Sequence, residues 1–381
     1  MTALNLKEMA QRASADETSG QPKYEQLREY VVSQIESGAL KSGAALPSEN
    51  RLAENLQIAR STVRQALAAL ERDGLVLRVH GKGTFVHDEA PQRLRKSQSL
   101  FALVVPETET AFYPSFQRSF ERAAADLHNQ VVVCNSNNDV DKQASAVLQL
   151  IDLRVAGVAI VPTTDPVTPA FHVRQLQKNN IPVVCCSRPV HGVQAPLLSI
   201  PFEEIGRRAG EKISNAGHRH AAFFGSSASL ATNLYERGFR KAIGSGFHID
   251  VFVGTGQPTN YAALEKECAQ AIDAIFEKPE TPTAIFCGFD SLAETIYMLL
   301  AQRGIRVPQD VSLVGFGGTY RGGGIANHLS SVTIDEIGMG EQAIELLTKM
   351  HNGQMPIDSN EIRQLPLSFN AGSTLATHSA P

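Results

Sequence analysis

From Leu100 onward the chain alternates short apolar runs with amphipathic stretches, and this alternation restricts its fold more than any other feature. Runs such as Leu100–Val105, 157–161 and Ala284–Cys287 are typical of buried strands, and stretches with helical spacing separate them. Strands that alternate with helices predict βαβ units and parallel sheets. Because the pattern continues to about residue 315, there are too many units for one small sheet. We expect two doubly wound α/β lobes that bind a ligand between them, at the carboxyl ends of their strands.

The length of 381 residues suggests two or three domains. We assign residues 22–88 to an N-terminal domain and residues 100–374 to the α/β region. Within that region, we expect residues 100–187 and 306–334 in the first lobe and residues 188–305 and 335–374 in the second. Polar, mixed-charge residues 1–21 predict a flexible extension, residues 89–99 a polar linker, and residues 375–381 a tail.

Residues 46–86 have the pattern of a helix, a turn, a second helix and a β-hairpin. In the second helix Val63, Ala66, Leu67 and Leu70 repeat the spacing of one apolar face. That spacing turns Arg60, Ser61, Arg64 and Gln65 outward, where cations and hydroxyls suit entry into the DNA major groove. β-rich runs around residues 81–83 predict the hairpin. The alternative is that Arg60 and Arg64 are solvated helix charges and that Lys82 is the tip of an ordinary hairpin.

This stretch resembles the winged helix-turn-helix domain of GntR-type transcription regulators. Residues 46–49 (LPSE), 60–64 (RSTVR) and 81–86 (GKGTFV) carry the resemblance, which runs from residue 22 to about residue 86. It implies DNA contacts by the second helix and the wing, namely by Arg60, Ser61, Thr62, Arg64, His80, Gly81 and Lys82.

Two positions depart from the GntR pattern. Many members carry Arg where this chain has Asn50, which we also count among the DNA-binding residues, with a contact of different specificity. Many carry Ser or Thr where this chain has Ala59, and loss of such a helix cap typically costs ~1 kcal/mol.

The net charge of −4 means that any nucleic-acid-binding surface must be local. Residues 22–88 carry nine Lys and Arg against eight Asp and Glu, so one such domain should bind DNA weakly. Two copies on two half-sites would compensate, and we therefore expect a homodimer on a near-palindromic operator.

The five cysteines lie mostly in apolar runs without CxxC spacing, which predicts reduced thiols and a cytoplasmic protein. The N-terminus has no apolar segment of a signal peptide. No run reaches the ~18 apolar residues of a membrane span, so we expect no membrane partner.

The region from about residue 99 to residue 374 resembles the effector domain of LacI-type repressors. The motifs that carry this resemblance follow the family's order, at residues 103–106, 133–137, 155–160, 217–219, 282–287 and 307–316. The family's effector domain is similar to periplasmic sugar-binding proteins. A GntR-type domain followed by a LacI-type domain resembles the architecture of the AraR-type arabinose repressors.

The LacI resemblance implies a sugar-like effector between the lobes. It places the aromatic pair Phe112 and Tyr113 on a sugar or base face, and it lets Asn135 and Asn137 meet hydroxyl groups. It also makes Asp290 a ligand-binding carboxylate that can accept two charge-assisted hydrogen bonds. The alternatives are helix-cap aromatics, ordinary loop amides and, for Asp290, an N-cap of the helix that follows.

Three departures bear on the effector. Tyr235, with Arg237 nearby, stands where the family usually has Arg, and Ser187-Arg188 replaces Asp-Arg. Residues 317–318 are both Gly where the family has an Asp pair. We count Arg188 and Tyr235 among the effector-binding residues and expect a ligand that is modified or less hydroxylated than the simplest hexoses.

Motifs of catalysis and cofactor binding are missing from the sequence. The glycine-rich run at residues 315–324 contains no GxGxxG, residues 218–220 (HRH) lack metal-ligand spacing, and no GxSxG occurs. We expect a transcriptional repressor under effector control, with no catalytic residues, cofactor or metal. The alternative, a DNA-binding domain fused to an aminotransferase-like enzyme, would need a larger domain and a Schiff-base Lys.

Overall fold

The computed structural model describes residues 22–91, 99–109, 112–244, 246–255, 261–318 and 324–378. The chain divides between Ser99 and Leu100 into two compact units, one N-terminal and one C-terminal. The predicted extension at residues 1–21, most of the predicted linker and the end of the predicted tail lie outside the described residues.

The N-terminal unit consists of three helices and an antiparallel hairpin: α1 (Lys23–Glu36), α2 (Glu49–Leu56), α3 (Arg60–Arg72), β1 (Val76–Val79) and β2 (Gly83–Val86). The predicted apolar face of α3 is confirmed, because Val63, Ala66, Leu67 and Leu70 are all at most 1% exposed. They share one core with Leu27, Val31 and Ile35 of α1.

Local contacts mark the ends of α2 and the start of α3. The side chain of Ser48 caps α2 by accepting a hydrogen bond from the Arg51 amide at 3.3 Å. Gln57 ends α2 in the left-handed conformation, with φ +50°, and turns the chain toward α3. Ala59 precedes α3 and provides no side-chain cap, as its sequence position predicts.

The C-terminal unit contains twelve strands and eight α-helices within its described residues. The strands are β3 (Leu100–Val105), β4 (Gln130–Asn135), β5 (Gly157–Ile160), β6 (Val183–Ser187), β7 (Leu197–Ser199), β8 (His220–Gly225), β9 (His248–Val253), β10 (Ala284–Cys287), β11 (Ser312–Gly318), β12 (Ser330–Ile334), β13 (Ile362–Gln364) and β14 (Leu367–Asn370). The helices are α4 (Tyr113–Asp126), α5 (Val140–Asp152), α6 (Ala170–Lys178), α7 (Phe202–Asn215), α8 (Leu230–Ile243), α9 (Tyr261–Phe276), α10 (Asp290–Gln302) and α11 (Glu336–His351), with a 3-10 turn at Gly324–Asn327.

These strands form two six-stranded sheets, one in each lobe. The first sheet has the order β13-β7-β6-β5-β3-β4 and is parallel throughout. The second has the order β14-β12-β11-β10-β8-β9 and is parallel except for β14. The predicted fold class is therefore confirmed.

The sequence-based division between the lobes was wrong in its C-terminal part. Residues 306–334 were expected in the first lobe, but β11 and β12 extend the second sheet beside β10. Residues 335–374 were expected in the second lobe, but α11 packs against α4 and β5 of the first and β13 joins the first sheet, so only β14 lies where it was expected. Residues 188–305 were also expected in the second lobe, but β7 pairs with β6 in the first sheet. Pairing between distant segments decides where the chain crosses from one lobe to the other, and local periodicity carries no information about it.

Two glycines allow α7 and α8 to pack backbone against backbone in the second lobe. A Cβ atom on Gly206 would lie 1.9 Å from the carbonyl oxygen of Tyr235. A Cβ atom on Gly238 would lie 1.8 Å from the carbonyl oxygen of Glu203. Because the clashing atoms belong to the backbone of a buried helix pair, rotation of a side chain cannot relieve them.

We expect Gly238→Ala to reduce the free energy of unfolding by roughly 2–3 kcal/mol, because the added methyl group forces α7 and α8 apart. Denaturant unfolding of the full chain measures this effect. Gly246→Ala is the matched control, since no atom lies within 4 Å of the Cβ position there. Equal stability of the two variants would contradict the close packing of the helices.

We expect Ala59→Ser to stabilise the start of α3 by ~1 kcal/mol, because the serine hydroxyl can accept a hydrogen bond from a first-turn amide. Hydrogen exchange at the Thr62 amide reports this change locally and should become slower. Ser48→Ala is the reciprocal control and should accelerate exchange at the Arg51 amide. An unchanged Thr62 rate in Ala59→Ser would show that the missing cap has no energetic effect.

Candidate functional site

The structure places seven of the eight residues predicted to bind DNA on exposed positions of the N-terminal unit. Arg60, Ser61 and Arg64 are exposed on the side of α3 opposite its buried face, and Thr62 beside them is half-buried. Asn50 is exposed on α2, and the remaining three, His80, Gly81 and Lys82, are exposed at the tip of the hairpin.

The hairpin has the backbone geometry of a projecting wing. Gly81 and Gly83 have φ values of +73° and +119°, and the Lys82 amide closes the turn on the Val79 carbonyl at 3.0 Å. The other edge of β2 bonds to the segment before α2, where the Leu46 amide donates to the Thr84 carbonyl at 2.8 Å. The tip therefore lies at the end of a two-stranded ribbon, in which β2 is hydrogen-bonded to β1 along one edge and to the segment before α2 along the other.

An ion-pair network that the sequence analysis missed joins α2, α3 and β1. Glu49 lies 3.2 Å from Arg64 and 3.8 Å from Arg78, and Arg78 also donates to the carbonyl oxygen of Arg64 at 3.3 Å. Among the described residues, Arg60 and Lys82 form no ion pair. Arg60 and Lys82 are thus available to phosphates, whereas Arg64 must exchange Glu49 for a DNA contact. The position of Glu49 in the motif at residues 46–49 was the one feature of the sequence that pointed to this ion-pair network.

A cavity of about 160 Å³ lies between the two lobes of the C-terminal unit. By the same measure one water molecule needs roughly 10–15 Å³, so the cavity has room for a small organic molecule. Residues that follow the carboxyl ends of strands in both sheets contribute to its lining, as the parallel topology predicts. The first lobe provides Pro106, Glu107, Phe112, Tyr113, Asn138, Thr164 and Arg188, and the second provides Ser226, Ser227, Ser229, Ala231, Thr232, Tyr235, Gly288, Phe289 and Phe316.

Aromatic rings from both lobes meet in this cavity. The ring of Phe112 lies 4.6 Å from that of Tyr113 and 6.5 Å from that of Phe316, measured between centroids. Phe316 lies 5.6 Å from Tyr235. The structure thus brings together Phe112, Tyr113 and Tyr235, which the sequence analysis had placed at the effector site, and adds Phe316.

Arg188 provides an unused hydrogen-bond donor at the cavity. Its Nε atom is buried and has no hydrogen-bond partner among the described residues. Its Nη2 atom reaches the Ser187 hydroxyl only at 3.5 Å, and its guanidinium lies 5.9 Å from the centre of the Phe202 ring. A buried donor without a partner costs about 1–3 kcal/mol, which a ligand acceptor would recover.

Tyr235 contributes a neutral hydroxyl to the same cavity. Burial raises its pKa well above the ordinary value of 10.0, while the positive charge of Arg188 opposes part of this rise. The phenol therefore stays protonated at neutral pH and can donate a hydrogen bond as well as accept one.

Asn135 and Asn137, predicted to bind the effector, are not part of the cavity lining. The Asn135 side chain instead accepts a hydrogen bond from the Asn137 amide at 2.9 Å. Their neighbour Asn138 lines the cavity, where its amide group bonds both the hydroxyl and the backbone amide of Thr164 at 2.8 and 3.0 Å. Of the three asparagines at residues 135, 137 and 138, the structure thus places only Asn138 at the cavity, where the backbone of both Asn137 and Asn138 is left-handed.

Asp290 is also outside the cavity lining, contrary to the expectation from sequence. Its carboxylate accepts a hydrogen bond from the Ser331 hydroxyl at 2.6 Å and lies against β11. Cβ atoms on Gly315 and Gly317 would come within 2.3 and 2.1 Å of it, so these glycines make room for the carboxylate. The N-cap alternative was wrong as well, because Phe289 precedes the helix and Asp290 is its first residue.

The five cysteines are free thiols, and four of them are buried. Burial raises the pKa of Cys185 to about 11, so this thiol stays protonated and unreactive at neutral pH. Within the described part of the chain, we find no helix with the length and hydropathy that crossing a bilayer requires.

Comparison with known proteins matches both units. Residues 23–86 match the gntR family of bacterial regulatory proteins, and residues 210–374 match the periplasmic binding protein-like domain. The arabinose metabolism transcriptional repressor of Geobacillus stearothermophilus is 28% identical over 86% of this chain and 91% of its own length. Catabolite control protein A of Priestia megaterium is 26% identical over 82% of this chain and 90% of its own.

A solved structure supports the fold of the C-terminal unit. The periplasmic binding protein/LacI transcriptional regulator of Alkaliphilus metalliredigens, complexed with D-xylulofuranose, covers 73% of this chain and 100% of its own length. Its TM-score is 0.59 and its sequence identity is 20%.

Both relatives reported above match over nearly their whole length and are named as regulators of transcription or catabolite control, not as enzymes. The chain is therefore a DNA-binding transcription regulator whose N-terminal segment matches the gntR family and whose C-terminal segment matches the periplasmic binding protein-like domain.

Proposed function

We propose that this regulator is a cytoplasmic repressor that binds operator DNA as a homodimer and releases it when a sugar or sugar derivative fills the cavity between the lobes. The observation that carries the proposal is that cavity, with aromatic rings from both lobes and an unused Arg188 donor. Two similar proteins support a sugar as the ligand. One is named as an arabinose metabolism transcriptional repressor, and the solved structure of another is a complex with D-xylulofuranose.

In the proposed DNA complex, the exposed side of α3 enters the major groove and the hairpin contacts the adjacent backbone. Arg60 and Lys82 meet phosphates directly because no internal ion pair holds them within the described residues. Arg64 and Asn50 reach base edges or phosphates, with Arg64 giving up Glu49. Since the N-terminal domain is nearly neutral in charge, two domains on two half-sites supply the affinity.

In the proposed effector complex, Phe112, Tyr113 and Phe316 pack on the apolar face of a sugar ring. Arg188 and the Tyr235 hydroxyl donate hydrogen bonds to its oxygens, and the hydroxyls of Ser226, Ser227 and Ser229, which also line the cavity, provide further partners. Because the cavity is lined from both lobes, a ligand that contacts both favours their closed arrangement. Closure changes the spacing of the two DNA-binding domains in a dimer, with a coupling of about 1–3 kcal/mol.

The alternative of a pyridoxal-phosphate enzyme fused to the DNA-binding domain has no specific support. The C-terminal region matches a binding-protein domain, and the relatives reported above are transcription regulators. The two α/β lobes occupy the part of the chain in which the enzyme hypothesis requires a catalytic domain.

We expect Arg60→Ala to weaken operator binding and to flatten the dependence of log K on log salt by about one unit, because one phosphate contact is lost. Lys82→Ala should behave alike. Arg64→Ala should weaken operator binding less than Arg60→Ala does, because Arg64 is paired with Glu49 in the free protein and must give up that pair to contact DNA. Fluorescence anisotropy with operator DNA at several salt concentrations measures both the affinity and the slope.

Arg72→Ala is the matched control for these variants. Arg72 is 80% exposed at the last residue of α3, roughly 18 Å along the helix from Arg60, and should not affect the slope. If Arg60→Ala and Arg72→Ala gave the same affinity and slope as the wild type, α3 would not bind DNA in the proposed orientation.

We expect Arg188→Ala to weaken effector binding at least tenfold while operator affinity without effector stays unchanged, because the buried donor is lost. Calorimetric titration with pentoses, hexoses, sugar phosphates and sugar acids identifies the ligand and measures the loss. Tyr235→Phe should weaken binding to a smaller extent, since it removes only a hydroxyl.

Asp290→Asn is the matched control, because it preserves the shape of a side chain that faces Ser331 and not the cavity. We expect it to bind the effector as the wild type does. Full loss of binding in Asp290→Asn with wild-type binding in Arg188→Ala would overturn the proposed set of contacts. Tight binding of an unmodified pentose would refute the narrower expectation of a modified ligand.

A further inference from the structure

Two histidines and an aspartate meet at the amino-terminal edge of the second sheet. His220 is the first residue of β8, His248 is the first residue of β9, and the two are register partners in the parallel pair. Asp250 lies two residues after His248, so both side chains project from the same face of β9. The effector cavity lies at the opposite, carboxyl end of β8, roughly 16 Å along the strand.

The three side chains are close enough to share an ion. His220 Nε2 lies 2.8 Å from Asp250 Oδ2, and His248 Nε2 lies 3.8 Å from Asp250 Oδ1. The two imidazole rings are 4.4 Å apart between centroids, and one ligand atom from each residue lies within 4.8 Å of the others. Ligand atoms on a tetrahedral ion are about 3.3 Å apart at metal distances near 2.05 Å, so only small rotations are needed.

The donor set selects the kind of ion. Two imidazoles and one carboxylate suit Zn²⁺ and its first-row transition-metal neighbours, whereas Mg²⁺ and Ca²⁺ prefer oxygen ligands, and we take Zn²⁺ as the ion to test. Three protein ligands leave a fourth position for water, as in open zinc sites. Asp250 is 10% exposed and the His220 side chain 13% exposed, so two ligands are held by the sheet, while the 65% exposed His248 can adjust.

The same contacts admit a purely structural explanation. Lys278 pairs with Asp250, and in this explanation His220, Asp250 and Lys278 hold the edge strand β9 against β8 without a metal ion. The two explanations differ in the role of Lys278. A structural network needs its ammonium group, whereas a metal ion competes with that group for the Asp250 carboxylate.

We propose that His220, His248 and Asp250 form a zinc-binding site at this edge, separate from the effector cavity. The spacing of residues 218–220 does not indicate it, because the other two ligands lie 28 and 30 positions beyond His220 and reach it through strand pairing. Zinc displaces Lys278 from Asp250 and ties β8 to β9 through side chains from both strands.

Titration of the untagged, chelator-treated full chain with ZnCl₂ by calorimetry tests the proposal. We expect one zinc ion per chain, and a tenfold or greater loss of affinity in His248→Ala, whose exposed ring can be removed without unfolding the strand. Lys278→Ala should bind zinc several times more tightly because it removes the competing cation. His191→Ala, which removes an exposed histidine elsewhere, is the matched control and should bind as the wild type does.

Cobalt(II) provides a second readout that does not depend on the variants. We expect visible absorption bands without the charge-transfer band of thiolate ligands, which would separate this site from binding by the cysteines. The proposal is overturned if the wild type takes up no stoichiometric zinc, or if His248→Ala and His220→Ala bind with unchanged affinity. Weaker zinc binding in Lys278→Ala would favour the structural network and would also overturn it.

Discussion

Parallel pairing of strands is the constraint on which the C-terminal unit depends. Because all strands of a parallel sheet end at one edge, the loops that follow them gather there, and both sheets place such loops around one cavity. The apolar strands are buried between helices on both faces, so polar and aromatic side chains concentrate where the strands end. Arg188 follows β6 and Asn138 follows β4, and they line the same cavity in this way although they lie far apart in the sequence.

In the N-terminal unit, the important constraint is how the cationic side chains are paired, either with acidic residues of the same unit or with an external partner. Arg28 pairs with Asp73, Arg64 with Glu49, and Arg78 with Glu49 and Glu71. These pairs are at least partly exposed, so each contributes little stability. Within the described part of the chain, they leave Arg60 and Lys82 without an internal ion pair, and these are the two cations that the proposed DNA complex places against phosphates.

Sites formed by several helices and strands could not be predicted from the sequence, whereas features of a single helix could. The spacing of Val63, Ala66, Leu67 and Leu70 was sufficient to predict a buried helix face, since that period depends only on local geometry. Asp290 was misplaced because its surroundings come from Gly315, Gly317 and Ser331, on two other strands. The same applies to His220, whose neighbours His248 and Asp250 become visible only when β9 is paired with β8.

The amino-acid sequence by itself determined the alternation of helices and strands to about residue 315, the winged helix-turn-helix motif and the two-lobed α/β class. These follow from periods of 3.6 and 2 residues and from short motifs, which act over a few neighbouring residues. Only the tertiary structure decided which lobe holds β11, β12 and α11, which asparagine faces the cavity, and that Glu49 holds Arg64. Those outcomes depend on contacts between distant segments, whose geometry is set only when the whole sheet and its helices pack together.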